Sequence, residues 1–492
     1  MNSFFIRLRD YRFPLLLAAV LIIAGFNLFF RLDGVQLWSY DEARHGVTAY
    51  EMMKSGDYIR GTYLGETEYW NLKPPLGLWA VAASYRVFGV SVFSLRFPSA
   101  LSAWLSILLV ILMSRRKFGD EVSLLSGIIL CTCFGFILYH SGRTGDFDAL
   151  FALTVTASLF FLDLSPEKPL YLVLAGFFAS LAFLTKSFAV LQIFAITFVY
   201  VILSWKKTVW KVRHFLFYLA AFLIPVLAWA YFRYRADGTA FFQKMVSFDL
   251  LNRSQNAIEG HVGGPLYYLG YAFYNFFPWS LPAVAALFYR NRLRWKSSAD
   301  SFLFGIRSNS FFRVPIFWIW AFVPLLLFSF AKTKIYWYIT PIYPALSVMT
   351  AWFLFHWISE DKKDRGFFAG LRKAWPVWGV LFFLFCEAAG IYKMYFEADG
   401  WQLAMRAARK TDYSHAASIY YQGVPSQAQA QVFYTEAVMG LQPVDTGISG
   451  FVEKGKTGDL LFMKSGPATD TLVLSNRMTV ITNAFGYLLL RK

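Results

Sequence analysis

Charge is scarce in this chain of 492 residues: 16% are charged, against roughly 25% in a soluble domain, while 57% are hydrophobic and 20% aromatic. Length alone would allow several soluble domains. The apolar excess excludes that arrangement, because it is gathered into runs of roughly 18–25 residues, long enough to span a bilayer core of about 30 Å. Cysteine is scarce too. Cys131, Cys133 and Cys386 all lie inside apolar runs. Two residues apart on a helix, Cys131 and Cys133 point to different sides, so no disulfide framework is available. A removable leader is also missing from the expected picture. The run Phe13–Phe30 follows Arg7, Arg9 and Arg12 and is followed by Arg31-Leu32-Asp33, not by small residues. It reads as a retained first span. We find no internal repeat and no low-complexity linker.

What the chain does have is basic charge, +17 net. On a soluble protein that would suggest nucleic acid. Here the basic residues crowd the short loops between apolar runs, so no nucleic-acid partner is expected. About eleven spans can be drawn, near 13–30, 96–114, 121–139, 149–163, 169–185, 188–204, 215–232, 265–288, 314–331, 336–357 and 375–393. Helices are expected, because each satisfies its own backbone in lipid. With the N-terminus cytoplasmic, every strongly basic short loop falls on the inner side. These loops hold Arg115-Arg116-Lys117; Lys206, Lys207, Lys211 and Arg213; Arg290, Arg292, Arg294 and Lys296; and Lys362, Lys363, Arg365, Arg372 and Lys373. An odd span count then places the C-terminus outside.

The expected organisation is a transmembrane domain over 1–394 and a small extracytoplasmic α/β domain over 395–492. Residues 31–95 form the first outer loop, in which the short apolar stretch Pro75–Gly89 suits an interfacial helix. In the tail, Ala417–Tyr421, Gln431–Tyr434, Leu460–Met463 and Thr471–Leu474 look like short strands between turns. The tail carries no catalytic motif.

Ionisable residues near a bilayer are costly and usually functional. Four groups fall on the outer side: Tyr40-Asp41-Glu42-Ala43-Arg44; Asn71-Leu72-Lys73-Pro74-Pro75; Arg143-Thr144-Gly145-Asp146-Phe147-Asp148; and the scattered Lys186, Arg253, His261, Lys332, Lys334, Tyr338 and Tyr343. Carboxylates and cations on one membrane surface suit glycosyl transfer from a lipid phosphate. The leaving group is already anionic and needs cations. The acceptor hydroxyl needs a carboxylate to take its proton. Blander readings stand beside this one. Asp41-Glu42 also suits a solvated loop start, and Lys73 a snorkelling lysine. Arg143 with Asp146 or Asp148 suits a structural ion pair, His261 a structural histidine, and the aromatics an interface belt.

The order of Asp41-Glu42-Ala43-Arg44, Ser55-Gly56-Asp57, Lys73-Pro74-Pro75, Phe88-Gly89 and Leu95-Arg96-Phe97-Pro98 resembles that of the bacterial protein-mannosyltransferase and lipid A aminoarabinose-transferase superfamily. So do His261-Val262-Gly263-Gly264-Pro265-Leu266-Tyr267-Tyr268 and the segment from Lys334 through Tyr338 to Tyr343-Pro344-Ala345. Several motifs in one order are far more specific than any one of them. The resemblance implies a polytopic α-helical membrane protein of the C-type glycosyltransferase fold. It implies an inverting transferase of the bacterial inner membrane that moves a sugar from a polyprenyl-phosphate donor to a glycolipid such as lipid A, a polysaccharide or a protein at the periplasmic face. Asp41 would be the catalytic base, with Glu42 and Arg44 beside it. Lys73 would bind the donor phosphate, and Arg143 with Asp148 or Asp146 would form a second charged motif. Lys186, Lys332, Lys334, Tyr338 and Tyr343 would line the phosphate and prenyl chain, and His261 the mouth of the site. In relatives an acidic residue before Lys-Pro-Pro helps bind a metal. Leu72 stands there and cannot ligate, so no metal cofactor is assigned unless Glu66 or Glu68 substitutes. The alternative is a flippase or transporter of lipid-linked sugar, which would call for charges at the membrane midplane and matched broken helices.

Overall fold

A computed structural model describes residues 2–38, 40–257, 260–285, 315–359, 375–394, 399–422, 428–466, 473 and 475–492. The expected basic loops at Arg290–Lys296 and Lys362–Lys373, and most of the expected strand Thr471–Leu474, lie outside the described residues.

In chain order, the helices are α1 (Asn2–Phe29), α2 (Asp41–Ser55), α3 (Leu76–Phe88), α4 (Val92–Cys131), α5 (Asp148–Leu164), α6 (Tyr171–Lys186), α7 (Leu191–Ser204) and α8 (Val212–Asp237). They continue with α9 (Tyr267–Asn275), α10 (Pro315–Phe330), α11 (Tyr343–Ser359), α12 (Trp375–Met394), α13 (Gly400–Ala408) and α14 (Gly447–Lys454). Among the described residues, five helical segments are long and apolar enough to cross a membrane: Arg12–Phe29, Val92–Cys131, Tyr171–Ser204, Val212–Asp237 and Tyr336–Ile358. The 40 residues of α4 would run roughly 60 Å at about 1.5 Å each, twice the bilayer core. A break at Gly119, with φ 86°, divides it, between the two separate runs seen in the sequence. At 13 residues, α3 is too short to cross.

The chain forms two compact units. The first comprises Met1–Phe30, Tyr69–Gly77 and Ser99–Tyr392; the second comprises Arg31–Glu68, Leu78–Pro98 and Lys393–Lys492. The first unit is a helical assembly in which apolar helices pack through small residues, as is usual where lipid removes the hydrophobic drive between helices. At Gly176 on α6, a Cβ would stand 2.1 Å from the Tyr218 carbonyl oxygen of α8. Only glycine lets these two backbones approach so closely.

The second unit holds α2 and a five-stranded mixed sheet. Its strands are β3 (Ser418–Gln422), β4 (Gln442–Val444), β5 (Leu460–Lys464), β6 (Thr479–Ala484) and β7 (Tyr487–Arg491), after the small hairpin β1 (Thr62–Tyr63) and β2 (Glu66–Thr67). The order is β4-β3-β5-β7-β6. Strand β3 pairs in parallel with β4 and β5, and β7 pairs antiparallel with β5 and β6. Tyr420, Phe451, Leu461, Met463, Met478, Leu488 and Leu490 form its core. Strands cover Ser418–Gln422 and Leu460–Lys464, close to two of the expected positions. The expected strand Gln431–Tyr434 is instead helical, through Gln429–Val432 and the wide turn Phe433–Val438. Four residues cannot separate the two periods. The longer run buries Ala430, Val432, Phe433, Tyr434 and Ala437, a pattern that fits a helix against a neighbour.

Candidate active site

In the first unit, a turn over 139–147 leads into α5, and its residues Ser141 through Phe147 are buried. Asp148 opens α5, where an acid is favoured by the helix dipole. Lys186 closes α6, where a cation is favoured for the same reason. The two meet, with Lys186 Nζ 2.6 Å from Asp148 Oδ1. The other Asp148 oxygen lies 3.0 Å from His140 Nδ1, and His140 Nε2 lies 3.4 Å from Asp146 Oδ1. The imidazole lies flat on the Trp337 ring, 3.9 Å between centroids and 2° from parallel. Burial works against charge on His140, but Asp146 and Asp148 outweigh it and raise the group above its ordinary value. Its backbone is held at φ 51°, a conformation that costs a non-glycine residue about 1–3 kcal/mol.

His140 was absent from the sequence candidates. The signal available was a titratable residue at the end of an apolar run, three positions before Arg143. Trp337 has a second neighbour, the His261 ring, edge-on at 6.3 Å. Strands of backbone bonding tie this region together: Lys332, Thr333 and Lys334 donate their N–H groups to the carbonyls of Ser254, Arg253 and His261. The Lys73 ammonium sits 5.9 Å from the Phe147 ring centre. Arg253 donates to the Tyr338 hydroxyl at 2.7 Å. Lys332 is exposed, and Tyr343 is buried with its ring parallel to Phe276.

Two of the expected site cations donate to backbone carbonyls. Arg143 donates to the carbonyls of Asn27, Leu28 and Phe30 at 2.8–3.1 Å. It thereby caps the C-terminal end of α1, whose last carbonyls have no helical partner. Lys334 Nζ donates to the carbonyls of Phe328 and Ser329 at the end of α10. Burial lowers its affinity for a proton.

In the second unit, Asp41 is the first residue of α2 and is half-buried. Glu42 departs from the expected substrate-facing role. It is 1% exposed and forms a fork with Arg96, Nε to Oε1 at 2.5 Å and Nη2 to Oε2 at 2.9 Å. Arg96 also donates to the carbonyls of Leu32, Val35 and Gln36. A planar guanidinium is the one side chain able to reach a carboxylate and several carbonyls at once. Arg44 pairs with Glu68 at 2.7 Å. Leu72, buried, has no ligating atom, Glu68 is taken by Arg44, and Glu66 is exposed on β2. The residues at that position do not fit a metal.

Residues 72–232 match the sequence family described as dolichyl-phosphate-mannose-protein mannosyltransferase. A protein of Aquifex aeolicus (strain VF5), itself uncharacterised, is 30% identical over 346 residues, which is 70% of this chain and 64% of that protein. The undecaprenyl phosphate-alpha-4-amino-4-deoxy-L-arabinose arabinosyl transferase of Enterobacter sp. (strain 638) is 28% identical over 68% of this chain and 58% of its own length. The chain therefore matches less than two thirds of either relative. The crystal structure of ArnT from Cupriavidus metallidurans bound to undecaprenyl phosphate superposes with a TM-score of 0.65 at 17% identity, covering 97% of each chain. That likeness shows a shared fold, a multi-pass helical membrane architecture. The superfamily expected from the ordered motifs is the one these comparisons return.

Proposed function

We propose that this relative of the protein-mannosyltransferase and lipid A aminoarabinose-transferase superfamily is an integral membrane glycosyltransferase. It takes a sugar from a polyprenyl-phosphate donor and gives it to lipid A, another glycolipid, a polysaccharide or a protein at the periplasmic face of the bacterial inner membrane. In this reading the N-terminus is cytoplasmic, the chain crosses about eleven times, and the C-terminal α/β domain is periplasmic. The observation that carries the proposal is the charged network Lys186–Asp148–His140–Asp146 buried at helix ends of an apolar assembly. Such a network is costly beside lipid unless it is used.

The acceptor oxygen attacks the anomeric carbon as its O–H bond breaks, and Asp41 takes the proton. The bond from that carbon to the phosphate oxygen breaks, and the lipid phosphate leaves with the electron pair. Lys73 and Lys186 balance the departing charge. Asp148 holds Lys186 in place. Arg143 and Lys334 act through the helix ends they cap, and no step passes through a metal at position 72. Tyr338, Tyr343, Lys332 and His261 border the donor. The names of the curated relatives and the undecaprenyl phosphate bound to the neighbouring structure support a polyprenyl-phosphate donor.

The test is mass spectrometry of glycolipids and envelope proteins from cells with the protein, without it, and with Asp41→Asn. A one-sugar mass difference lost in both the deletion and the variant supports the proposal. An Asp41→Asn protein with full transfer ends it. Donor accumulating on one membrane face, with no acceptor changed, would favour the transporter reading.

A further inference from the structure

The segment that leads into α2 leaves two large aromatic side chains uncovered: Trp38 is 53% exposed and Tyr40 70%. Asp41 follows directly. The rings are exposed, yet the backbone that carries them is fixed. Gln402 of α13 holds Leu37 in both directions, accepting its N–H at 2.8 Å and donating to its carbonyl at 2.9 Å. The Trp38 N–H goes to the Glu42 carboxylate at 2.9 Å, and the Trp38 carbonyl takes the Ala43 N–H at 3.2 Å. The Tyr40 N–H goes to the Gln429 side chain at 3.3 Å, and the Tyr40 carbonyl takes the Arg44 N–H at 3.1 Å. Gly46 braces α2 itself, packed so closely on the Phe433 ring that a Cβ there would stand 2.7 Å from two ring atoms.

Tyr40 is held at φ 72°, a strained conformation for a bulky residue and an easy one for glycine. Aromatics that only mark the membrane interface need the right depth, and neither a fixed backbone nor a strained one. The flat faces of Trp and Tyr are electron-rich. A pyranose can lay the C–H groups of one face on such a ring while its hydroxyls stay in water. A phosphate would instead call for cations, and the arginines of this unit near α2 are engaged: Arg44 with Glu68, Arg96 with Glu42, and Arg406 with the Val35 carbonyl and the Tyr434 hydroxyl. Two rings beside a carboxylate suit a neutral, hydroxylated ring.

We infer that Trp38 and Tyr40 are acceptor-binding residues, and that the acceptor end they take is a neutral pyranose, stacked so that one hydroxyl meets the Asp41 carboxylate. The inference rests on the proposed role of Asp41 and deepens it by naming the acceptor class as a saccharide. Gln402 and Gln429 are positioning residues in this account. They hold the backbone that carries the rings and touch no acceptor atom.

The test uses the full chain in nanodiscs of phosphatidylethanolamine and phosphatidylglycerol, which carry no sugar. Saturation-transfer NMR follows three probes: methyl glucoside, methyl galactoside and methyl N-acetylglucosaminide. At least one should bind through its C–H face. Trp38→Ala and Tyr40→Ala should each weaken that binding roughly two- to tenfold with melting unchanged, and Phe at either position should restore most of it. Tyr40→Gly separates use from structure: it should raise the melting temperature, because glycine relieves φ 72°, and still weaken binding. Gln402→Ala should weaken binding with both rings present. Three results overturn the inference: no binding of any probe, binding that both alanine variants keep, or displacement of the bound glycoside by polyprenyl-phosphate glucose, which would assign the rings to the donor. Sugar adducts in membranes of cells carrying each variant report transfer separately. Ring-dependent binding with no sugar adduct in any sample, wild type included, upholds the saccharide site and refutes the transferase reading.

Discussion

Replacing Glu42 with alanine should strand Arg96, a guanidinium in a site where both side chains are 1% exposed. Removing one partner of a buried pair costs about 3–5 kcal/mol. At 1.4 kcal/mol per decade, the opening equilibrium of the second unit would rise by roughly two to three and a half decades. That is a large part of the ~5–15 kcal/mol that holds a domain folded. The double variant Glu42→Leu with Arg96→Met sharpens the reasoning. Apolar replacement of a buried pair is often neutral or better, but Arg96 also serves the carbonyls of Leu32, Val35 and Gln36. Those lost bonds, at about 1 kcal/mol each, should leave the double variant destabilised by roughly 1–3 kcal/mol. Thermal melting and hydrogen exchange of residues 31–55 in nanodiscs measure both. A Glu42→Ala protein within about 0.5 kcal/mol of wild type would refute the buried fork. Loss of transfer at unchanged stability would return Glu42 to the substrate.

His140→Phe keeps a flat ring on Trp337 and removes both carboxylate contacts. Because His140 is raised, its charged form contributes stability that is present below the ordinary histidine value near 6.5 and lost as pH rises through the raised one. The variant should lose that part of the pH dependence of melting, and an unchanged pH profile would contradict the contacts. Gly176→Leu should push α6 from α8, where the Tyr218 carbonyl leaves no room for a Cβ. An overpacking cost of about 1–3 kcal/mol or more is expected, read as a lower melting temperature, and wild-type melting would contradict the close approach.

Long apolar runs were legible because the bilayer sets their length, and α6, α8 and α11 lie close to the expected spans. The charged groups placed on the outer side included Asp148 and Lys186, which the structure brings together. Pairing was not legible. Nothing in the spacing of Glu42 and Arg96 says that the first is enclosed by the second. Arg143 was expected in a charged motif with Asp148 or Asp146, because an arginine beside acids is ambiguous until its geometry is known; it donates to three carbonyls at the end of α1. His140 gave no periodic signal. Its neighbour Trp337 lies almost two hundred positions away in the chain. The helical turn at 431–434 was read as a strand because its buried face depends on α2, which no local window contains.

The second unit is assembled from segments made far apart in synthesis, residues 31–68 well before residues 393–492. At about 5–20 residues per second, the ribosome needs roughly 16–65 s to cover the interval. Throughout that time α2 exists without Gln402 or Phe433, so its seating waits until those residues have been made. A nonsense change between positions 344 and 402 would therefore leave the helix bearing Asp41 without these contacts, although every residue of the four outer charged groups had already been made.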